Sequence, residues 1–376
     1  MHFGIDSHNV EREGEGNSTY GRNLISSLIT GAGKDDDFPL FAAHPDHAFY
    51  RTLSPRDRFS VTRVVQGRGL IRVGWSLARA ANRAHVDGLH VQYTAPLGYV
   101  GPLVVTVHDL SYLRVPESFP LALRMALRGL VPWSMRRAAR IITVSEFSRR
   151  DIVAQYGIRP DQVVVTSLAA HPRFRPQRPE EIDSALGPYG LRPGYLFSLG
   201  RLNRRKNLER LLEAYAYIRA TCGAEVPLVI GGKLDYGFQE VLRRSKLAGE
   251  TSGVRVVGLI PDTALPAFYG AAACLVYPSL FEGFGLPVLE AMACGTPVIA
   301  SSRSAVPELV GDAGLLVDPE NVEVLSQAMA RIVSNPDLRQ ELGRRGVERS
   351  RQYSWAETAR RTLAVYREAV RASESR

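Results

Sequence analysis

Pro278-Ser279-Leu280-Phe281-Glu282-Gly283-Phe284-Gly285-Leu286-Pro287-Val288-Leu289-Glu290-Ala291-Met292-Ala293-Cys294-Gly295-Thr296-Pro297-Val298-Ile299-Ala300 is the stretch whose reading decides the fold. The apolar run Ala273 to Tyr277 ahead of it has strand character. A loop with two glycines follows, then a short helix with Pro287 at its first position and Gly295 at its end. Thr296-Pro297 stops that helix, and Val298-Ile299-Ala300 reads as the next strand.

The same order carries chemistry. The N–H groups around Phe284, Gly285 and Leu286 fall at a helix N-terminus, where the macrodipole favours an anion such as phosphate. Gly283 and Gly285 keep that approach clear of side chains. Glu290 lies one turn into the helix with its side chain tilted back toward the loop, and Glu282 enters from the loop side. Two carboxylates beside amide donors suit a ligand with hydroxyls to bind and phosphates to hold, a nucleotide-sugar. An ordinary strand, loop and helix with solvated acids is the alternative.

Working outward, 376 residues suit two domains. With 45% hydrophobic and 23% charged residues the chain is globular and not disordered. Met1-His2-Phe3-Gly4-Ile5-Asp6 enters strand-like sequence directly and no long apolar run occurs, so the expected location is cytoplasmic. Cys222, Cys274 and Cys294 are odd in number and set in apolar surroundings, which predicts reduced core thiols and no zinc site. The net charge of +9 comes almost wholly from arginine and permits an anionic partner such as a membrane surface, a lipid-linked pyrophosphate or a nucleic acid. The nucleic-acid reading lacks interleaved aromatics or a known module and is set aside.

In the first half, His2 to Ser7, Val86 to Gln92, Leu103 to Val107, Ile141 to Ser145 and Val163 to Thr166 read as strands. The loop Glu11 to Tyr20 follows the first, where parallel sheets cradle ligands. His108-Asp109 follows the Leu103 to Val107 strand at the same kind of edge. Asp35-Asp36-Asp37 mimics a metal-binding DxD but falls in a connector and reads as a solvated turn. From Leu121 to Arg140, Leu123, Leu127, Leu130 and Trp133 alternate with Arg124, Arg128, Arg136, Arg137 and Arg140. That pattern predicts either a helix packed on the sheet with a basic outer face or one lying on an anionic bilayer.

The second half alternates strands (Tyr195 to Leu199, Pro227 to Gly231, Val254 to Gly258) with helices (Leu211 to Ile218, near Phe238 to Lys246, Ala264 to Ala272), the signature of a doubly wound parallel sheet. Arg201 and Lys206 stand on the loop after the first of these strands, where a fork and a point charge can clamp a diphosphate.

The chain resembles the retaining, nucleotide-sugar-dependent glycosyltransferases of family four, in particular bacterial mannosyltransferases of cell-envelope glycan synthesis. The resemblance is carried by Gly200-Arg201 with Arg205-Lys206-Asn207, by Val257 to Asp262, by Tyr277-Pro278-Ser279, by Glu282 and Glu290 in a Glu-x7-Glu frame, and by Pro307 to Ala313. Thr106 to Ser111 and Thr143 to Ser148 carry it more loosely through the first half. It implies an α/β, GT-B fold of two facing Rossmann-like domains. Residues 1–172 would form the acceptor-side domain, 173–193 a linker, 194–354 the nucleotide-sugar domain, and 355–376 a helix crossing back to the first domain.

The resemblance also implies roles. Arg201 and Lys206 would neutralise the donor diphosphate in place of a metal. Glu290 would accept from ribose hydroxyls, and Glu282 would hold hydroxyls of the transferred hexose. Amides from Gly283 to Leu286 would meet sugar and phosphates, the Leu259-Ile260 backbone would bracket the base, and His108 would sit near the reacting centre. On the acceptor side, Gly16-Asn17-Ser18-Thr19-Tyr20 keeps only the first glycine and the tyrosine of the family's Gly-x-Gly-Arg-Tyr, so Gly16, Asn17 and Tyr20 are its candidates.

The implied reaction is metal-independent hexosyl transfer with retention, through an oxocarbenium-like ion pair, from a GDP- or UDP-linked hexose, GDP-mannose first. The acceptor would be a hydroxyl of a glycan or lipid-linked saccharide, at the inner face of a membrane. No cofactor is expected. The rivals are a nucleotide-sugar epimerase of the same fold and a non-catalytic sugar-nucleotide-binding protein.

Overall fold

The computed structural model describes residues 1–12, 14–64, 75–222, 226–233 and 253–374, the side chains of 221, 222 and 374 excepted. The expected helix near Phe238 to Lys246, Glu13 of the first loop and the Cys222 side chain lie outside the described residues. The chain forms two compact units, Met1–Leu168 with Ser354–Arg376, and Ala169–Tyr353.

The first unit is built on β1 (Phe3–Asp6), β2 (Phe38–Ala42), β3 (Phe59–Arg63), β4 (Gly88–Gln92), β5 (Leu103–Thr106), β6 (Arg140–Thr143) and β7 (Val163–Val165). They pair in parallel in the order β3-β2-β1-β4-β5-β6-β7. The order reverses between β1 and β4, which opens a crevice at their carboxyl ends. β1, β2, β4 and β5 are buried along their whole length. That is why Leu103-Val104-Val105 reads as a continuous apolar run and not an alternating one.

The C-terminal helix Trp355–Glu374 packs on helix Gly16–Gly31 of this unit. Its Tyr366 ring stacks on Phe3 at 3.9 Å, and the Tyr366 hydroxyl meets His90 Nδ1 at 2.6 Å.

The second unit holds β8 (Leu196–Leu199), β9 (Leu228–Gly231), β10 (Val254–Gly258), β11 (Cys274–Tyr277), β12 (Val298–Ser301) and β13 (Leu315–Val317). All pairs are parallel, in the order β10-β9-β8-β11-β12-β13, so here the reversal falls between β8 and β11. The opening stretch folds as its glycines and prolines predict: β11, a loop, helix Leu286–Ala293, then β12. Gly285 caps the helix at φ 103° and Gly295 follows it at φ 76°, conformations only glycine adopts readily.

Three stretches need closer description. Asp35-Asp36-Asp37 is a solvated turn at Asp35, which is exposed, but not at Asp36. Asp36 is buried, accepts from Gly33 N and pairs with the N-terminal ammonium and Arg367, while Asp37 pairs with His2. Helix Leu121–Arg137 is buried at one end. Val131, Pro132, Ser134 and Met135 are buried at its C-terminal end, whereas Leu121, Leu123 and Met125 are exposed at the other. Within 173–193, helix Pro179–Leu186 forms and packs on helix Leu265–Ala271 of the second unit, its first turn bearing Glu180 and Glu181 at the positive end of the dipole.

Candidate functional site

The β8/β11 reversal brings two loops together at the carboxyl edge of the second sheet, Gly200 to Asn207 after β8 and Pro278 to Gly285 after β11. Gly200 at φ 152° turns the first loop, and residues 204–206 make one tight turn that Asn207 closes at φ 57°. Asn207 Nδ2 donates to the carbonyls of Pro278 and Pro319, and Leu280 N donates to the Arg205 carbonyl, so the loops are stitched to one another.

Lys206, 8% exposed, and Glu282, 6% exposed, meet inside this junction. Lys206 Nζ donates to Glu282 Oε1 at 2.6 Å and to the Tyr277 hydroxyl, and lies 4.4 Å from the centre of the Tyr277 ring. Ser279 Oγ donates to the same carboxylate oxygen at 2.7 Å, and Arg205 donates to the other at 3.2 Å. Burial on its own would raise the Glu282 carboxyl. The Arg205 and Lys206 charges, with the Lys206 and Ser279 hydrogen bonds, outweigh it and hold the group at about 2.

Glu290, 6% exposed on helix Leu286–Ala293, has a different environment. The Tyr269 hydroxyl donates to Oε2 at 3.0 Å. Burial pushes this carboxyl up to about 8, opposed by the Tyr269 hydrogen bond and Arg173 and reinforced by Asp262. The Glu-x7-Glu frame therefore pairs a carboxylate with a group that is largely protonated at neutral pH.

The remaining expected residues fall around this edge. Arg201 is exposed. Gly283, Phe284 and Gly285 are buried, and the Phe284 ring meets Tyr353 edge-on at 5.7 Å. At the start of helix Leu286–Ala293, Pro287 has no N–H and Val288 N donates to the Gly285 carbonyl at 2.9 Å, which leaves the Leu286 N–H as the first-turn amide outside the helix's own hydrogen bonds. Ile260 is buried, its side chain closing on Gly231, whereas Leu259 is exposed.

In the first unit His108 follows β5 and is buried. Its Nε2 stands 3.0 Å from Gln92 Oε1, the Tyr20 ring meets it edge-on at 4.7 Å, and Tyr93 lies at 5.7 Å. Burial lowers its imidazole to about 4, so it is neutral at physiological pH, the nearby Asp109 opposing the shift. The expected acceptor loop is short, because helix Gly16–Gly31 begins at Gly16 itself. Gly16 is exposed and Asn17 half-buried, but Tyr20 points inward, its hydroxyl 3.1 Å from Thr106 Oγ1. Cys274 and Cys294 are buried free thiols, pushed upward by burial. No group of three metal-ligating side chains occurs among the described residues, and no helix there is long and apolar enough to cross a membrane.

Sequence reading missed Tyr269, Tyr277, Ser279 and Gln92 as partners of the acids and the histidine. Only Tyr277 and Ser279 carried a signal, as part of a motif beside Glu282.

Residues 188–349 match the family model described as glycosyl transferases group 1, and residues 34–174 match that of glycosyltransferase family 4. The chain is 35% identical over 266 residues to the O-antigen chain mannosyltransferase B of Escherichia coli, covering 70% of each protein. It is 28% identical over 242 residues to the serotype-specific mannosyltransferase WbdA of the same organism, covering 63% of this chain but only 30% of that longer protein. Among solved structures, Anabaena HepE in complex with UDP and glucose superposes with a TM-score of 0.74 at 19% identity, over 97% of this chain and 98% of that one, a likeness of fold.

Proposed function

The chain belongs to the group 1 and family 4 glycosyltransferases, and from that premise we propose that it transfers a hexosyl group, with retention, from a nucleoside-diphosphate sugar to a hydroxyl of a glycan or lipid-linked saccharide. The observation that carries this is the Lys206–Glu282 pair at the sheet reversal. A donor laid across it meets a cation for its phosphates and an anion for a sugar hydroxyl, 2.6 Å apart. Arg201 and Lys206 stabilise the charge that gathers on the leaving diphosphate, as preorganised cations can without a metal. Glu290 accepts from the ribose, and the amides at the start of helix Leu286–Ala293 meet the phosphates. His108 takes a hydroxyl of the substrate.

Mannose is the proposed sugar and GDP the proposed carrier, because two E. coli relatives are mannosyltransferases. HepE, whose complex holds UDP and glucose, makes UDP-glucose the necessary comparison. Incubating the protein with each donor, alone and with a mannosylated acceptor, and resolving the product anomer by NMR tests the reading. Donor consumed without acceptor would support an epimerase instead, and no consumption would support a binding protein. Transfer that survives a chelator supports the metal-free mechanism.

Glu290 gives this reading a pH signature. Its folded value of about 8 lies above the ordinary 4.5, so the stability it contributes is complete below about 4.5 and is lost as pH rises through 8. Ribose hydroxyls donate to the ionised form. Nucleoside-diphosphate affinity is therefore expected to rise about tenfold between about pH 7 and pH 9. In Glu290→Gln titrations that slope should vanish, and an unchanged slope would remove the assignment.

We place the enzyme in the cytoplasm with a peripheral contact at the inner membrane face, made by helix Leu121–Arg137. It exposes Leu121, Leu123 and Met125 together with Arg128, Arg136 and Arg137. Co-sedimentation with anionic phospholipid vesicles, weakened in about 0.5 M salt and by Met125→Glu, is the expected result. Equal binding to neutral vesicles would contradict it.

A further inference from the structure

The first sheet carries a polar ladder on one face. His90 and Gln92 alternate along β4, Thr106 ends β5, and His108 continues that strand with the same alternation. His90 is held at both ring nitrogens, Nδ1 by the Tyr366 hydroxyl at 2.6 Å and Nε2 by Thr106 Oγ1 at 2.7 Å. His108 is held at only one. Its Nε2 faces Gln92 Oε1 at 3.0 Å, and Nδ1 makes no hydrogen bond among the described residues. The ring cannot swing away to find one, because Tyr20 packs edge-on at 4.7 Å, Tyr93 lies at 5.7 Å, and Ser148 Oγ anchors the His108 carbonyl at 3.0 Å.

We propose that Gln92 is a positioning residue. By accepting from His108 Nε2–H, it fixes the imidazole in that neutral tautomer and presents the Nδ1 lone pair as an acceptor for a substrate hydroxyl. The inference rests on the reading that His108 touches substrate, and deepens it. A ring nitrogen that accepts selects a sugar hydroxyl and turns away a phosphate oxygen, which has no proton to give at neutral pH. The ring is neutral as this requires, for burial lowers it to about 4; Asp109, His90, Tyr20 and Tyr93 are the titratable groups around it. Gln92 is itself buried, and it lines a small cavity together with Asp6, Tyr20 and His90.

The test is 15N NMR of the full-length protein labelled at histidine, with the His108 signals identified by their loss in His108→Ala. The expected spectrum has a protonated Nε2 and a bare Nδ1. In Gln92→Leu the two should average toward a tautomer mixture, and Gln92→Glu, which keeps an acceptor, should restore the wild-type tautomer. In parallel, kcat for transfer is expected to fall about tenfold in Gln92→Leu with donor KM little changed, the scale on which an orienting partner of a functional histidine acts. A protonated Nδ1 in the wild type, or a tautomer untouched by Gln92→Leu, overturns the proposal, and the wild-type spectrum decides even if that variant fails to fold. If the tautomer responds as expected while both Gln92→Leu and His108→Ala keep full kcat, Gln92 controls the ring but the placing of His108 at substrate fails.

Discussion

Replacing Lys206 with alanine is expected to lower hexosyl transfer by at least about 100-fold, the scale of losing one preorganised electrostatic contact. It is also expected to cost about 3 kcal/mol of stability, because a buried carboxylate loses a partner. The two effects have different origins in the same atom. Nζ lies 2.6 Å from Glu282 Oε1, and with it gone Arg205, Ser279 and the Tyr277 hydroxyl still face the carboxylate but the nearest cation is lost. The double variant Lys206→Ala/Glu282→Gln removes the stranded charge, so its urea midpoint should recover most of the loss while its turnover should not recover. Acid acts on the same pair from the other side. The folded Glu282 value of about 2 lies below the ordinary 4.5, so the stability it contributes is present above 4.5 and is lost as pH falls toward 2. Lys206→Ala should flatten that limb. Turnover within tenfold of wild type in a folded Lys206→Ala protein would sink the assignment of Lys206 to the leaving group.

How far these groups were legible follows from how far apart their partners lie in the chain. The frame of the second unit could be read because its signals are local. Pro287, Gly295 and Pro297 bound one helix within a dozen residues, and continuous apolar runs mark buried parallel strands. Glu282, Glu290, Arg201 and Lys206 could be singled out as residue types on loops after strands. Their pairing could not, since Lys206 and Glu282 stand 76 residues apart and meet only because the strand order reverses between β8 and β11. Tyr269 beneath Glu290 and Gln92 behind His108 are side chains of ordinary helix and strand positions, which periodicity assigns to the core without saying which atom they face. Periodicity is silent in another way in helix Leu121–Arg137. Leucines at helical spacing mark an apolar face but not what covers it, and burial is complete near Val131 and Met135, partial at Leu127 and absent at Leu121 and Leu123. Asp36 was misread because its partners are the chain's own N-terminus and Arg367, at the two extremes of the sequence. β2 passed unnoticed because Pro39 interrupts an otherwise apolar Phe38–Ala42, and β3 because its Phe59–Arg63 is half-exposed at the sheet edge.

The second large effect comes from a residue with no side chain. Gly232 follows β9 at φ 125°, and its N–H donates to the Gly258 carbonyl at 2.7 Å while Gly200 N donates to the Gly231 carbonyl at 3.2 Å. A Cβ at Gly232 would stand 1.9 Å from the Gly200 carbonyl oxygen, far inside van der Waals contact and against backbone that no rotamer change can clear. Gly232→Ala is therefore expected to destabilise the second unit by roughly 4 kcal/mol, combining a steric clash with a forbidden backbone angle. The strain is directed as well as large. The atom struck begins the loop that carries Arg201 and Lys206, and Lys206 Cε itself packs 2.8 Å from where a Cβ on Gly200 would lie. Relief by shifting Gly200 would draw Nζ away from Glu282, so whatever fraction of Gly232→Ala folds should also lose transfer by about tenfold or more, the cost of a misplaced catalytic group. Denaturant midpoints measured beside initial rates per folded molecule separate the two losses. A variant as stable as wild type would mean that the β8 and β9 ends do not approach as closely as the 1.9 Å contact requires. A destabilised one with full specific activity would mean that the Lys206 loop is held by Asn207 and Pro278 and not by its glycine.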